Sequence, residues 1–232
     1  EFLDPKNYWI PLTYRSRVVV YSKERVDVND LSTYEDLANE KWKNRLLIRS
    51  SSNSYNQALM SSLIANLGSD VAEDWSTKIV SNLAREPKGN DRDQVKAIAS
   101  GQGDIAVVNS YYIGLLLSSE KEEELKAGNS VGVFFPNQAE NQRGAHINVS
   151  GIALTKNAPN RENAIKLISF LTSQSAQQTY VNNTYEYSVN SSVEPNEIVK
   201  SWGDFKKDKL DLNMLGVKRN EAIRIFDKTG WK

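Results

Sequence analysis

Asp104-Ile-Ala-Val-Val-Asn-Ser-Tyr-Tyr112 is the stretch of sequence that decides the fold. Its apolar run at 105–108 predicts a buried strand, and Ser110 is typical of the N-cap of a helix that follows. Open α/β sheets place their ligand-binding residues where a strand passes into a helix. The stretch therefore predicts an α/β fold in which Tyr111 and Tyr112 lie at a candidate binding site.

The two adjacent phenols indicate which kind of ion that site could bind. A phenolate oxygen is a hard, anionic donor, and it suits a hard, highly charged cation such as Fe³⁺ better than a soft or weakly charged ion. Taken alone, a pair of tyrosines is more often structural, with one ring in the core and the other on the surface. The choice between these interpretations depends on the rest of the chain.

Composition excludes several classes of function. The 232 residues suffice for one large domain or two small ones, and 29 basic residues balance 29 acidic ones. This balance does not indicate a nucleic acid or an anionic membrane as partner. The chain has no cysteine and a single histidine, His146, which excludes disulfides, thiolate chemistry and a multi-histidine zinc site within it. No apolar run approaches the roughly 18 residues that span a bilayer.

Apolar periodicity divides the chain into alternating strands and helices. Strands are predicted at 9–22, 45–49, 104–109, 131–135 and 146–155. Helices are predicted at 32–41, 55–67, 70–79, 91–100, from 111 onward, at 160–171, at 173–181 and, in the tail from 193, most clearly at 221–226. The charged stretch at 120–126 is typical of a solvated face. This alternation predicts the α/β class.

Two long strands suggest a hinge. The strands near 12–21 and 146–154 flank a self-contained α/β block at roughly 18–141. Strands in this arrangement are expected to cross between two lobes, and the cleft between the lobes is then the natural ligand site.

Seven segments together resemble the ferric-iron-binding proteins of bacterial ABC importers, a periplasmic-binding-protein class with two α/β lobes. The segments are Leu12-Thr-Tyr-Arg-Ser-Arg-Val-Val-Val-Tyr21, Arg49-Ser-Ser-Ser-Asn-Ser-Tyr-Asn-Gln57, Asn82-Leu-Ala-Arg-Glu-Pro87, Asp93-Gln-Val-Lys-Ala-Ile-Ala-Ser-Gly101, the stretch at 104–112, Gly144-Ala-His-Ile-Asn-Val-Ser-Gly151 and Asn183-Thr-Tyr-Glu-Tyr-Ser-Val189. The resemblance covers essentially the whole chain. It is greatest to the tyrosine-rich, anion-independent branch, which carries a tyrosine where other members bind carbonate or phosphate.

The resemblance implies a set of metal ligands. Tyr111 and Tyr112 match the paired iron-ligating tyrosines, and Tyr55 matches the third tyrosine ligand. Three phenolates would neutralise the three charges of Fe³⁺. Arg15 resembles the arginine that such sites place beside the ligands, where a cation stabilises the phenolate form. Each phenol has a pKa near 10 before perturbation, so the metal must displace its proton and the affinity should fall in acid.

Other polar residues carry weaker expectations. Asn109 and residues 51–53, Asn53 among them, resemble positions that line the anion-binding or surrounding region, although the polarity of a strand-end turn explains them equally well. His146 matches a motif of the hinge strand and not the histidine ligand of the family, so we interpret it as structural.

The resemblance also implies a division into lobes. Residues 1–17 and 142–192 are expected to form the remainder of the first lobe, and residues 18–141 and 193–232 the second lobe, which carries the tyrosines. The chain begins without an initiator methionine and runs directly into a β-rich segment. Family members usually start with a first-lobe segment that supplies a further His or Tyr ligand, so we expect the first lobe to be truncated at its N-terminus.

The function expected from the resemblance is a monomeric, non-enzymatic receptor in the periplasm that passes Fe³⁺ to an ABC transporter permease. Within the same fold, an oxyanion or polyamine receptor is the main alternative. A hydrolase is an alternative from another class, but the sequence has no carboxylate pair, Gly-x-Ser-x-Gly elbow or phosphate loop. A ligand-sensing regulatory domain is a third, and no DNA-binding segment is attached to support it.

Overall fold

The long first strand organises the molecule. The computed structural model describes residue 2 and residues 4–232. In it, β1 spans Ile10–Ser22 and changes its partners midway. Residues 10–16 pair with β5 and β6, and residues 17–22 pair with β3 and β4, all antiparallel. Residues 1 and 3, part of the predicted segment at 1–17, lie outside the described residues.

Within residues 2 and 4–232, six strands form one connected sheet. Its main path is β2-β3-β1-β4, with β5 and β6 also paired to β1, and β2 runs parallel to β3. The strands are β1 (Ile10–Ser22), β2 (Leu46–Leu47), β3 (Ile105–Asn109), β4 (Val131–Phe134), β5 (Ile147–Ile152) and β6 (Tyr187–Ser188). The described helices are α1 (Ser54–Leu67), α2 (Ser69–Asn82), α3 (Asp91–Ala99), α4 (Tyr111–Leu117), α5 (Glu122–Ser130), α6 (Arg161–Leu171), α7 (Gln174–Thr184), α8 (Glu197–Lys200), α9 (Asn213–Val217) and α10 (Arg219–Thr229). The predicted α/β class is confirmed.

The core lies on both faces of the central strands. Successive side chains of a strand point to opposite faces. Val19 therefore packs in a cluster with α1, α2 and α10, while Val18 and Val20 pack in a second cluster with α3, α4 and α5. All three valines are at most 1% exposed, and burial of a side chain of this size contributes about 1.5–3 kcal/mol. Helices packed on both faces of the sheet hold the C-terminal end of β3 in place, and the candidate site begins at that end.

Helix boundaries follow their local signals. Gly68 has φ +88° and ends α1, a backbone conformation that favours glycine. At the start of α3, Asn90 accepts from the backbone of Asp93, while Asp93 accepts from the backbone of Asn90. This reciprocal capping box explains why α3 begins directly after a breaker-rich segment.

One local prediction is wrong, and two are confirmed only in part. The predicted helix at 32–41 is instead two 3-10 turns, Glu35–Ala38 and Glu40–Trp42, because the extended backbone of Asn39 interrupts it. The predicted strand at 45–49 is reduced to Leu46–Leu47. Ser110 lies at the N-cap position of α4 as predicted, but its side chain does not cap the helix; its backbone is already helical, and its Oγ accepts from the backbone N of Ser16.

In the described part of the chain, no helix is both long and apolar enough to cross a membrane.

Candidate metal centre

Two strand-to-helix junctions place the three predicted tyrosines. Parallel β2 and β3 end at the same edge of the sheet, and the helices that follow them begin there. Tyr55 is the second residue of α1, and Tyr111 and Tyr112 are the first two residues of α4. The Oδ1 of Asn53 accepts from the backbone N of Tyr55 at 3.1 Å, so Asn53 is the N-cap of the helix that carries Tyr55.

The structure brings the three phenols together. The hydroxyl oxygens of Tyr55 and Tyr111 lie 3.3 Å apart. The rings of Tyr111 and Tyr112 are 4.2 Å apart between centroids, with 31° between their planes. All three side chains are half-buried. The result is a cluster of hydroxyl groups supplied by residues 56 positions apart in sequence.

The surroundings of Tyr111 and Tyr112 favour the protonated form of both phenols. Burial raises the pKa of Tyr111 well above its usual value, and its hydrogen bonds with Tyr112 and Tyr55 raise it further. Burial also raises the pKa of Tyr112, although its hydrogen bond to Tyr111 and the charge of Arg49 oppose the shift. A metal ion that binds here must therefore displace phenol protons.

Three guanidinium groups surround the ring of Tyr55. The Cζ atoms of Arg15, Arg17 and Arg49 lie 5.8, 5.9 and 5.8 Å from its centroid. Arg15, which the sequence analysis predicted, also donates to Ser150 Oγ at 2.7 Å. Cations at these distances are attracted to the negative face of the aromatic ring.

A buried ion pair lies beside the cluster, since Arg17 contacts both the ring of Tyr55 and the carboxylate of Asp91. Arg17 is 1% exposed and Asp91 is fully buried, and Arg17 Nη1 donates to Asp91 Oδ2 at 2.7 Å. The backbone N of Asn109 donates to the same oxygen at 2.9 Å, and Arg17 Nη1 lies 3.3 Å from Asn109 Oδ1. Arg17 Nη2 donates to Asn56 Oδ1 at 2.7 Å. The predicted Asn109 thus joins the end of β3 to this pair.

Arg17, Arg49 and Asp91 are site residues that were not predicted from the sequence. Arg49 follows β2 and Asp91 opens α3, so position relative to the sheet edge was an available signal for both. Arg17 stands directly before three buried valines, and a charge at that point of a strand is unusual.

Within the described residues, His146 forms no hydrogen bond with Tyr55, Tyr111 or Tyr112. Its backbone N donates to Tyr34 Oη at 3.0 Å, and its backbone O accepts from the N of Arg17 at 2.9 Å. Burial, followed by the charges of Arg17, Arg143 and Arg15, lowers the pKa of His146 to about 3. The imidazole is therefore neutral at ordinary pH. In the described part of the chain, no three His, Cys, Asp or Glu side chains are grouped to hold a metal ion.

The fold is that of a ligand-binding class of protein. In this chain the clustered phenols follow the ends of two strands of an α/β sheet, and the long strand β1 pairs with two different sets of strands. The chain belongs to the bacterial extracellular solute-binding protein family, whose model matches residues 2–207.

Curated relatives of this chain are named for iron. The chain is 47% identical over 233 residues to iron uptake protein A1 of Synechocystis, a match that covers 100% of this chain and 64% of the relative. It is 24% identical over 228 residues to the major ferric iron-binding protein of Neisseria meningitidis, covering 98% of this chain and 66% of that protein. The chain therefore spans slightly less than two thirds of the length of these relatives.

Solved structures agree in fold. The FutA protein of Trichodesmium, in complex with iron and citrate ligands, superposes with a TM-score of 0.95 at 44% identity, over 100% of this chain and 72% of that one. The ferric binding protein of Campylobacter jejuni gives a TM-score of 0.94 at 37% identity, over 100% of this chain and 73% of that one.

Proposed function

We propose that the chain is part of a ferric-iron receptor that delivers Fe³⁺ to the permease of an ABC importer. The observation that carries the proposal is the contact between the hydroxyls of Tyr55 and Tyr111, 3.3 Å apart, with the ring of Tyr112 packed on that of Tyr111. Three phenolate oxygens supply hard donors and three negative charges, which match a trivalent hard cation.

The names of the relatives support the same cargo. Iron uptake and ferric binding are properties of those longer proteins, and this chain spans 64% and 66% of two of them. Membership of the extracellular solute-binding family supports a periplasmic location for the receptor. A receptor of this kind binds and releases its cargo unchanged, so we propose no enzymatic reaction.

Release of iron follows from a hinge in this proposal. Residues 1–17 with 142–192 form one lobe, and residues 18–141 with 193–232 form the other. The change of partners along β1 supports a boundary near Arg17, since residues on either side pair with different strands. Opening of the cleft would expose the phenols to water and protons, which weakens the hold on iron.

A visible absorption titration tests the proposal. Ferric nitrilotriacetate is added to the 232-residue protein and to the single variants Tyr55→Phe, Tyr111→Phe and Tyr112→Phe. The wild type should develop an intense phenolate-to-iron charge-transfer band. Each variant should lose affinity by more than about 100-fold, since even partners outside the ligand set of a metal contribute 10–100-fold.

The matched control is Tyr8→Phe, which removes the hydroxyl of a tyrosine that is 73% exposed. Its band and affinity should equal those of the wild type, and all variants should keep nearly the same melting temperature. Wild-type affinity in both Tyr111→Phe and Tyr112→Phe would overturn the assignment of the ligands. Absence of a band in the wild type would overturn the proposed cargo.

A further inference from the structure

The tyrosine cluster is surrounded by more nitrogen donors than its own hydrogen bonds use. Within the described residues, four buried side-chain N–H groups in this region have no acceptor: Arg15 Nε, Arg17 Nε, Arg49 Nε and Asn109 Nδ2. Guanidinium and amide donors are the groups with which proteins bind phosphate and carbonate. If only these unused donors are considered, the site is suited to bind an oxyanion.

One carboxylate opposes that chemistry. Asp91 is fully buried, and its Oδ2 accepts from Arg17 at 2.7 Å and from the backbone of Asn109 at 2.9 Å. Its Oδ1 lies 3.5 Å from Nη1 of Arg49. Asp91 therefore contacts three of the four residues that hold the unused donors. At such burial its charge is weakly screened, so it strongly repels an approaching oxyanion.

The charges around the phenols are then nearly balanced. Arg17 is paired with Asp91, and Arg15 lies 4.0 Å from Oε1 of Glu186, a carboxylate that is 8% exposed. Three phenolates would balance Fe³⁺. Only Arg49, whose side chain is 19% exposed, keeps an incompletely compensated charge in this group. A doubly charged oxyanion would leave an excess of negative charge in this half-buried site.

We propose that Asp91 determines the selectivity of this site, by neutralising Arg17 and partly compensating Arg49, so that the cluster takes up a cation without a co-bound phosphate or carbonate. The inference rests on the proposed function, because it concerns which ions the same site accepts.

Calorimetric titration with inorganic phosphate, in the absence of iron, tests this role. The wild type should show no binding. Asp91→Asn removes the charge and keeps the shape, so Arg17, Arg49 and Asn109 should now bind phosphate. Binding of phosphate by the wild type would overturn the inference directly, as would a folded Asp91→Asn variant that does not bind it.

Asp104→Asn provides a matched control. Asp104 also holds two arginines, with 2.6 Å to Arg25 and 2.7 Å to Arg45, but it stands at the opposite end of β3 and those arginines are about one-third exposed. Exposed charges are screened by water and salt. Asp104→Asn should therefore bind no phosphate. Equal binding by the Asp104 and Asp91 variants would show that freeing any two arginines suffices, and the inference would fail.

Iron titrations separate this inference from the proposed function. Phosphate should raise the iron affinity of Asp91→Asn by about tenfold or more relative to its effect on the wild type, since close buried charges couple by at least that factor. If the wild type binds no iron, the proposed function fails. If the wild type binds iron and the two proteins respond equally to phosphate, the role of Asp91 fails alone.

A second variant covers the case in which Asp91→Asn does not fold. Arg17→Met with Asp91→Asn removes both charges of the buried pair, which is less costly than removal of one partner. Arg49 is then left without its carboxylate, and the double variant should bind phosphate. A folded double variant that binds no phosphate overturns the inference.

Discussion

Tyr185 packs directly on Gly114: a Cβ atom at Gly114 would lie 2.4 Å from Cγ of Tyr185. Tyr185 follows α7 with φ +58°, in the left-handed region, and Gly114 is the fourth residue of α4. The contact joins the segment before β6 to the helix that carries Tyr111 and Tyr112. No larger residue fits at position 114 unless the tyrosine ring moves.

Gly114→Ala should therefore be destabilising, although alanine favours helices. We expect a loss of about 1–3 kcal/mol in the free energy of unfolding, the usual cost of overpacking, and a lower iron affinity because α4 is displaced. Urea denaturation and the iron titration measure the two effects. Gly216→Ala in α9 is the control, since no atom lies within 4 Å of its added Cβ, and it should be neutral or stabilising by up to about 1 kcal/mol. Equal stability of the two variants would contradict the prediction.

The buried ion pair between Arg17 and Asp91 should contribute far more to the free energy of unfolding than the partly exposed ion pair between Arg25 and Asp104. Arg17→Met leaves the carboxylate of Asp91 buried without its nearest partner, and we expect a loss of about 3–5 kcal/mol. Arg25→Met, which breaks the partly exposed contact to Asp104, should lose no more than about 1 kcal/mol. Urea denaturation of the two variants is the measurement. A loss in Arg17→Met as small as that in Arg25→Met would show that water compensates Asp91.

The spacing of apolar residues in the sequence was sufficient to predict the strand and helices that position the three tyrosines. The apolar run before Tyr111 and the helical spacing after Tyr55 each reflect burial of one face, which periodicity reports directly. The α/β fold predicted from them is confirmed. The junctions follow from the same pattern, because a strand end and a helix start are local events. The role of the three tyrosines as ligands stays a prediction.

Contacts between distant segments could not be predicted in the same way. Arg17 and Asp91 are 74 residues apart, and nothing near either residue identifies the other as its partner. Arg17 is 1% exposed although charged residues are seldom fully buried, and only its distant partner explains this burial. Likewise, the segment at 32–41 has helical signals, but the burial of Leu37 and Trp42 holds it as two short turns separated by Asn39. In both cases tertiary packing, which a single sequence does not display, decides the outcome.

Iron binding should weaken as the pH falls. Without metal, burial and hydrogen bonding raise the pKa of Tyr111, and burial raises that of Tyr112, so both phenols hold their protons at neutral pH. Iron must release these protons, and each one released lowers the affinity by about tenfold per unit decrease in pH. Competition against a chelator of known pH dependence measures the slope. An occupancy that stays constant from neutral pH to about 4, in the range of carboxylate pKa values, would indicate carboxylate ligands instead.

His146 should make the fold itself sensitive to acid. Its pKa is lowered from 6.5 to about 3 by burial and by the facing charges of Arg17, Arg143 and Arg15. Between these two pH values the unfolded chain binds a proton that the folded chain rejects. The stability contributed by the neutral imidazole is thus complete above about pH 6.5 and falls by up to about 1.4 kcal/mol per pH unit as the pH decreases towards 3.

Substitution of the histidine isolates this contribution from the carboxylates that titrate in the same range. His146→Gln keeps a polar side chain without a group that takes up a proton, so its free energy of unfolding should decline less steeply than that of the wild type between pH 6.5 and 5. Urea denaturation at several pH values measures both slopes. The difference should approach one bound proton, because Arg17, Arg143 and Arg15 all oppose charging of the folded imidazole. Parallel curves would mean that His146 takes up its proton while folded, and that the arginine charges around it are compensated more fully than their contacts indicate.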